Sequence, residues 1–194
     1  GVVIKNGGRV MKNVTGYDLV KVMAGSYGSL GVLSEVSMKV LPRPETQAAL
    51  VLHGLDDAAA VRAMAAALGS PFEVTGAAHD RACKKTMLRI EGFETSVLYR
   101  LERLRDLLGN MGAEITVSDE HQTAEAWTAT RDVAAFAAAK GDVWRVSCKP
   151  SDGPSLAARS QAEAWLYDWA GGLIWLRCAA GHDLRQKLGA FAGH

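Results

Sequence analysis

The sequence predicts a protein of the α+β class with an antiparallel sheet, and three observations carry that prediction. From residue 47 to residue 118, short β-prone runs and longer helical runs follow one another in the order strand, helix, strand, strand, helix, strand. The helical runs space their apolar residues three and four apart, as a helix with one buried face requires. Prolines Pro42 and Pro44 mark a linker between this region and a glycine-rich stretch at the start, which gives two domains, 1–44 and 45–194.

Each element has its own signal. Residues 47–53 are a short apolar run and read as a strand. The alanine-rich run 56–68 reads as a helix with Asp56 as its cap, because a carboxylate there accepts hydrogen bonds from free N–H groups of the first turn. Residues 73–79 and 86–91 read as strands, 96–108 as a helix and 114–118 as a strand. In the second helix Leu98, Leu101, Leu104, Leu107 and Leu108 form a stripe, with Glu102, Arg103, Arg105 and Asp106 between them, and such a stripe faces a core. The resulting β-α-β-β-α-β order is the ferredoxin-like split unit, with both helices on one face of its sheet.

Beyond His121 the pattern predicts a helix over 123–132, a strand over 143–148, a helix over 155–167, a strand over 173–177 and a helix over 183–191. This is an incomplete second half-unit, and a closing strand is expected after His194. Trp127, Trp144, Trp165, Trp169 and Trp175 all fall here and are expected to fill a core between sheet and helices.

Ahead of the linker, residues 2–4 are apolar, Asn6-Gly7-Gly8 is a hairpin-like turn, and 9–11 would be the return strand. A short helix is expected from residue 17 or 18 to 24, with Asp18 near its N-terminus, and a long strand over 30–41. Gly25, Gly28 and Gly31 recur at every third position, with Gly16 before them. A helix stop followed by a turn accounts for this spacing as well as close backbone approach to a ligand does. The run is neither the dinucleotide fingerprint G-x-G-x-x-G nor a phosphate loop ending in Gly-Lys-Ser or Gly-Lys-Thr.

Longer motifs go further. The stretch KNVTGYDL, followed by GSYGSLGVLSE and an apolar segment running into a proline, resembles the end of the FAD-binding domain of the vanillyl-alcohol oxidase, or PCMH, family. The resemblance implies FAD as cofactor, held in part by Asn13, Gly16, Tyr17, Gly25, Ser26, Gly28, Leu30, Gly31 and Val32. The glycines would let backbone N–H groups approach it, Val32 would present main-chain groups, and Asn13 and Tyr17 would add side-chain hydrogen bonds. Asp18 reads as a helix cap. The resemblance also implies that 1–44 is the C-terminal piece of that FAD-binding domain and 45–194 its ferredoxin-like cap, so that the chain is truncated at both ends and retains FAD poorly by itself. Within the family, GGRVMKN, WRVSCKPSDGP and WLYDWAGGLIWLR resemble accessory subunits of bacterial glycolate oxidases. That likeness implies a catalytic flavin subunit and an iron–sulfur subunit as partners, glycolate or another 2-hydroxy acid as the substrate of the complex, and attachment to the inner membrane through it. Self-association through exposed strand edges is a further expectation for this length of chain.

Other chemistries have little support. Lys plus Arg number 22 against 21 acidic residues, a net charge of +1, so no nucleic-acid surface is expected. No apolar run approaches the roughly 20 residues of a membrane helix, and the expected compartment is the cytoplasm. Cys83, Cys148 and Cys178 are odd in number and widely spaced, and His53, His79, His121, His182 and His194 are scattered, so no metal site is expected. Gly181-His182-Asp183 lacks the spacing and second histidine of the H-x-G-D-G-N-x-H motif that catalytic relatives carry, and no catalytic residue is nominated. The resemblance thus favours an FAD-dependent oxidoreductase subunit acting on CH–OH donors and inactive by itself. The alternatives are a self-sufficient flavin oxidoreductase for a 2-hydroxy acid or alcohol, and a ferredoxin-like binding module.

Overall fold

In the computed structural model, which describes residues 1–9 and 16–194, the chain forms two units, Gly1–Arg43 and Pro44–His194. The first contains one regular element among its described residues, helix α1 (Leu19–Met23). Asp18 caps it by accepting a hydrogen bond from the Lys21 N–H at 3.4 Å, as its position in the sequence predicts. The strands expected over 2–4 and 30–41 do not form, and most of the expected return strand 9–11 lies outside the described residues. The reason is that a strand exists only against a neighbour. The described residues of this unit supply no paired strand, and Val32, Val36 and Val40 are all exposed.

The second unit carries β1 (Thr46–His53), α2 (Asp57–Leu68), β2 (Gly76–Asp80), β3 (Lys85–Gly92), α3 (Glu94–Leu108) and β4 (Glu114–Ser118). These are the six elements the sequence predicts, with β2 beginning later than expected because Glu73 takes a left-handed conformation (φ 47°). Asp56 caps α2 through the Ala59 N–H at 2.7 Å. There follow α4 (Glu120–Arg131), α5 (Ala134–Ala137), β5 (Asp142–Ser147), α6 (Gly153–Ser160), β6 (Ala164–Asp168), β7 (Leu173–Cys178) and α7 (Leu184–Leu188). Asp119 and Gln122 close the start of α4 as a reciprocal capping box.

One helix of the sequence reading becomes a helix and a strand. The run 155–167 does not stay helical, because Gln161 adopts a left-handed conformation (φ 56°) that ends α6. Residues 164–168, AWLYD, then alternate, with Trp165 and Tyr167 on one face and Leu166 and Asp168 on the other, which is a strand's period. The expected helix over 183–191 is shorter, and Gly193 and His194 return beside the end of β5, where the Ser147 N–H donates to the His194 carbonyl at 2.6 Å.

All seven strands form one antiparallel sheet in the order β4-β1-β3-β2-β6-β7-β5. The order 4-1-3-2 of the first four is that of the ferredoxin-like unit. The remaining strands repeat it in reverse, since β5-α6-β6-β7 pairs as β6-β7-β5. The two repeats meet where their equivalent second strands, β2 and β6, lie side by side.

One face of the sheet carries the main core, in which Leu50, Leu52, Leu88, Ile90, Tyr167, Ile174 and Leu176 pack with side chains of α2, α3, α6 and α7. The leucine stripe of α3 is only partly in it. Leu101, Leu104 and Leu108 are buried, Leu98 and Leu107 are exposed, and Val97 and Arg100 complete the buried face, because the contact surface follows the sheet and not the leucines alone. Opposite this core, Ala49, Val51, Ala78 and Met87 pack with Ala126 and Trp127 of α4. The tryptophans therefore divide. Trp144 and Trp165 pack against the main core, Trp127 lies on the other face, and Trp169 is 57% exposed on a left-handed turn.

Trp127 is seated over Gly76, where a Cβ would overlap its indole ring, and the Arg89 guanidinium lies 4.7 Å from the ring centroid. Gly76→Ala is therefore expected to displace Trp127 and cost about 1–3 kcal/mol. Urea unfolding followed by tryptophan emission measures both effects, and an unchanged midpoint would refute the seating.

Candidate functional site

The glycine block of the first unit forms a recess of about 340 Å³ lined by Met23, Ser26, Tyr27, Gly28, Gly31, Val32 and Leu33. The chain reaches this shape through a chain of turns after α1. The Ser26 N–H donates to the Met23 carbonyl at 3.1 Å and the Ser29 N–H to the Ser26 carbonyl at 3.0 Å. Gly25 (φ 80°), Tyr27 (φ 53°) and Gly28 (φ 78°) all take left-handed backbone, which favours glycine at two of the three positions. A Cβ at Gly28 would meet nothing within 4 Å, so its space is open, whereas one at Gly31 would touch the Met23 methyl at 3.4 Å.

Of the nine residues the sequence predicts to bind a cofactor, Ser26, Gly28, Gly31 and Val32 line this recess. Gly16, Tyr17, Gly25 and Leu30 lie outside its lining, with Tyr17 almost fully exposed and its carbonyl accepting a hydrogen bond from Asn6 Nδ2 at 3.0 Å. Asn13 lies outside the described residues. The lining bears no charged side chain. Its volume is near the lower end for small-ligand pockets. Such a surface fits an uncharged portion of a flavin dinucleotide, a ring or ribose, and offers no cation to a pyrophosphate.

A second cluster, which the sequence reading missed, stands in the other unit. Asp57, the first residue of α2, is 12% exposed, and its Oδ2 accepts hydrogen bonds from Trp165 Nε1 at 2.9 Å, the Tyr167 hydroxyl at 2.9 Å and Arg81 Nη1 at 3.1 Å. His79 Nε2 stands 3.7 Å from Asp57 Oδ1, and its Nδ1 pairs with Thr86 Oγ1 at 2.9 Å. The Arg81 guanidinium also stacks 4.1 Å from the Trp165 ring centroid. Burial works to raise the Asp57 pKa, but the nearby His79 ring, the hydrogen bonds from Trp165 and Tyr167 and the charge of Arg81 outweigh it and hold the carboxyl at about 2. The Tyr167 hydroxyl is pushed well above the ordinary tyrosine range by burial, and then by the Asp57 charge. A carboxylate with three donors on one oxygen, beside a phenol so hard to ionise, is a structural junction. Asp57 was hidden in the sequence because it follows the capping Asp56, and its partners lie more than twenty residues away.

A third feature is a recess of about 520 Å³ along α4 and α5, lined by His121, Ala124, Glu125, Thr128, Ala129, Asp132 and Ala134. Its charged groups are already engaged: Glu125 with His121 at 3.6 Å and Asp132 with Arg131 at 2.7 Å. His182 and Asp183 serve local structure. His182 Nε2 lies 3.2 Å from the Ser160 carbonyl, and Asp183 caps α7 through the Gln186 N–H. Among the described residues no group of three His, Cys, Asp or Glu side chains is arranged to hold a metal ion, and no helix is long and apolar enough to cross a membrane.

Comparison with known proteins finds similarity to one broad class first. A stretch of 51 residues is 41% identical to an FAD-linked oxidoreductase of Mycobacterium tuberculosis CDC 1551, covering 26% of this chain and 11% of that protein. Over 61 residues the chain is 44% identical to the glycolate oxidase subunit GlcD of Bacillus subtilis 168, covering 31% of this chain and 13% of that one. Over these stretches the chain is similar to FAD-linked oxidoreductases. More particularly it is GlcE-like, being 35% identical over 192 residues, 98% of its length, to the glycolate oxidase subunit GlcE of Escherichia coli K12. It spans about half of that relative, 49% of its length. No family model matches it.

The Asp57 network gives a pH dependence with a definite sign. Its folded pKa of about 2 lies below the unfolded value of 3.8, so the stabilisation is fully present above pH 4 and is lost as pH falls from 4 to 2. Asp57→Asn is expected to cost about 2 kcal/mol at pH 7. The gap to the unmodified protein should close as pH falls toward 2, which urea unfolding at several pH values measures.

Proposed function

We propose that this chain belongs to an FAD-binding subunit which assists the oxidation of glycolate, or another 2-hydroxy acid, beside a catalytic flavin subunit and an iron–sulfur subunit. The observation that carries this reading is the identity to GlcE along 98% of the chain. In this reading 1–44 is the end of the FAD-binding domain and 45–194 its cap, and the assembly sits at the inner membrane through its partners. Bound FAD would supply the capacity to take up two electrons and pass them on.

The residues of this chain supply position. Ser26, Gly28, Gly31 and Val32 offer an uncharged recess to a ring or ribose of the cofactor, and Met23, Tyr27 and Leu33 complete its lining. Asn13, Gly16, Tyr17, Gly25 and Leu30 would complete the contacts. The recess offers the pyrophosphate no cation. No residue of this chain is assigned a proton or hydride transfer, because no titratable side chain lines the glycine recess except the Tyr27 phenol.

The test is the visible spectrum of the full-length protein, purified with and without its partner subunits and then given glycolate. Flavin that glycolate reduces only in the presence of the partners is the expected result. Reduction in the lone subunit would overturn the accessory role and favour a self-sufficient oxidoreductase. In the same protein Gly28→Val, which forces a branched side chain into a left-handed position (φ 78°), is expected to weaken FAD retention about tenfold, read as flavin per polypeptide after gel filtration.

A further inference from the structure

The two repeats are joined by the shortest ladder in the sheet. β2 and β6 share two residue pairs, His79 with Tyr167 and Asp80 with Leu166, whereas each of the other ladders has at least five. So short a ladder specifies its own register weakly. The apolar side chains beneath it belong to a core shared by both repeats, but apolar packing is non-directional and tolerates sliding better than hydrogen bonds do.

Asp57 stands over this junction from α2 of the first repeat. One of its oxygens accepts from both Trp165 and Tyr167, two residues apart on the same face of β6 in the second repeat. It also ties back to the first repeat through Arg81, the residue that follows β2. A slip of β6 by one residue would turn both donors to the opposite face. A slip by two would move them along the strand by roughly 7 Å and take at least one beyond hydrogen-bond range. Either slip would strand a buried indole N–H or phenol and leave the carboxylate short of donors. His79 completes the arrangement. Fully buried, with Nε2 lacking a hydrogen-bond partner among the described residues, it directs that nitrogen toward the second Asp57 oxygen.

We propose that Asp57 is the lock of the junction between the two repeats, setting the register of β6 on β2 and holding two half-sheets as one. The carboxylate acts across the junction, and its loss opens the sheet there before anywhere else. This inference is independent of the flavin reading.

Hydrogen exchange followed by mass spectrometry on the full-length protein tests it. In Asp57→Ala the amides of His79, Asp80, Leu166 and Tyr167 are expected to exchange at least tenfold faster, with the β1–β3 ladder unchanged. Trp165→Phe combined with Tyr167→Phe keeps an aromatic ring at both positions, removes both donors, and is expected to give the same localised pattern, so it carries the test if Asp57→Ala fails to fold. An unchanged rate at β2 and β6, or an equal rise across all seven strands, would overturn the proposal.

Discussion

A single carboxylate, placed at the first turn of α2, receives an indole N–H and a phenol from β6 and the guanidinium of Arg81, the residue that follows β2. That convergence matters because the two halves of the sheet pair through two residue pairs, above a core that both repeats share. A buried carboxylate costs several kcal/mol unless its lone pairs are occupied. Here the donors come from both repeats, so the condition that makes Asp57 tolerable also requires the repeats to be together. Tyr167, with no exposed surface, and Trp165 are thereby fixed as part of the main core, and the turn after β6 is held against α2, where Gly171 leaves no room for a Cβ beside Val61.

The repetition explains the layout. Two split units placed back to back through their second strands give a sheet wide enough to carry helices along one whole face, while α4 covers part of the other through Trp127. The glycine block before Pro44 is different in kind. Its conformation comes from local turns and left-handed residues, not from packing, and its apolar side chains remain exposed. A surface of that sort is suited to close approach by a ligand backbone or ring, whereas the rigid sheet unit is suited to support. In the proposed flavin subunit these would be the cofactor contact and the cap.

Much of this was legible in the residues. Asp18 and Asp56 announce their helices because a cap is a local interaction between a side chain and the next few N–H groups. The first six elements of the sheet unit follow from periodicity, since one-sided burial leaves a direct trace in the order of apolar residues. Ser26, Gly28, Gly31 and Val32 are singled out by a sequence motif, and they line one recess because they are neighbours along the chain. The stretch 155–167 was misread as one helix because Leu156, Ala157, Trp165 and Leu166 suit either period, and the left-handed Gln161 that separates them leaves no mark in its side chain. Residues 36–40 alternate like a strand, yet alternation records only which faces could be buried and says nothing of whether a neighbour is present.

The sequence by itself determined the α+β class, the caps, the order of the first repeat and the likeness to flavin oxidoreductases, all of which rest on contacts between residues close in the chain or on motifs read directly. Tertiary structure decided the seven-stranded order, the reversal of the second repeat and the gathering of Asp57, His79, Arg81, Trp165 and Tyr167 at the junction. Those partners are separated by up to 110 positions. Hydrogen bonds between such distant groups are selected by the folded backbone, which alone brings donor and acceptor within about 3 Å.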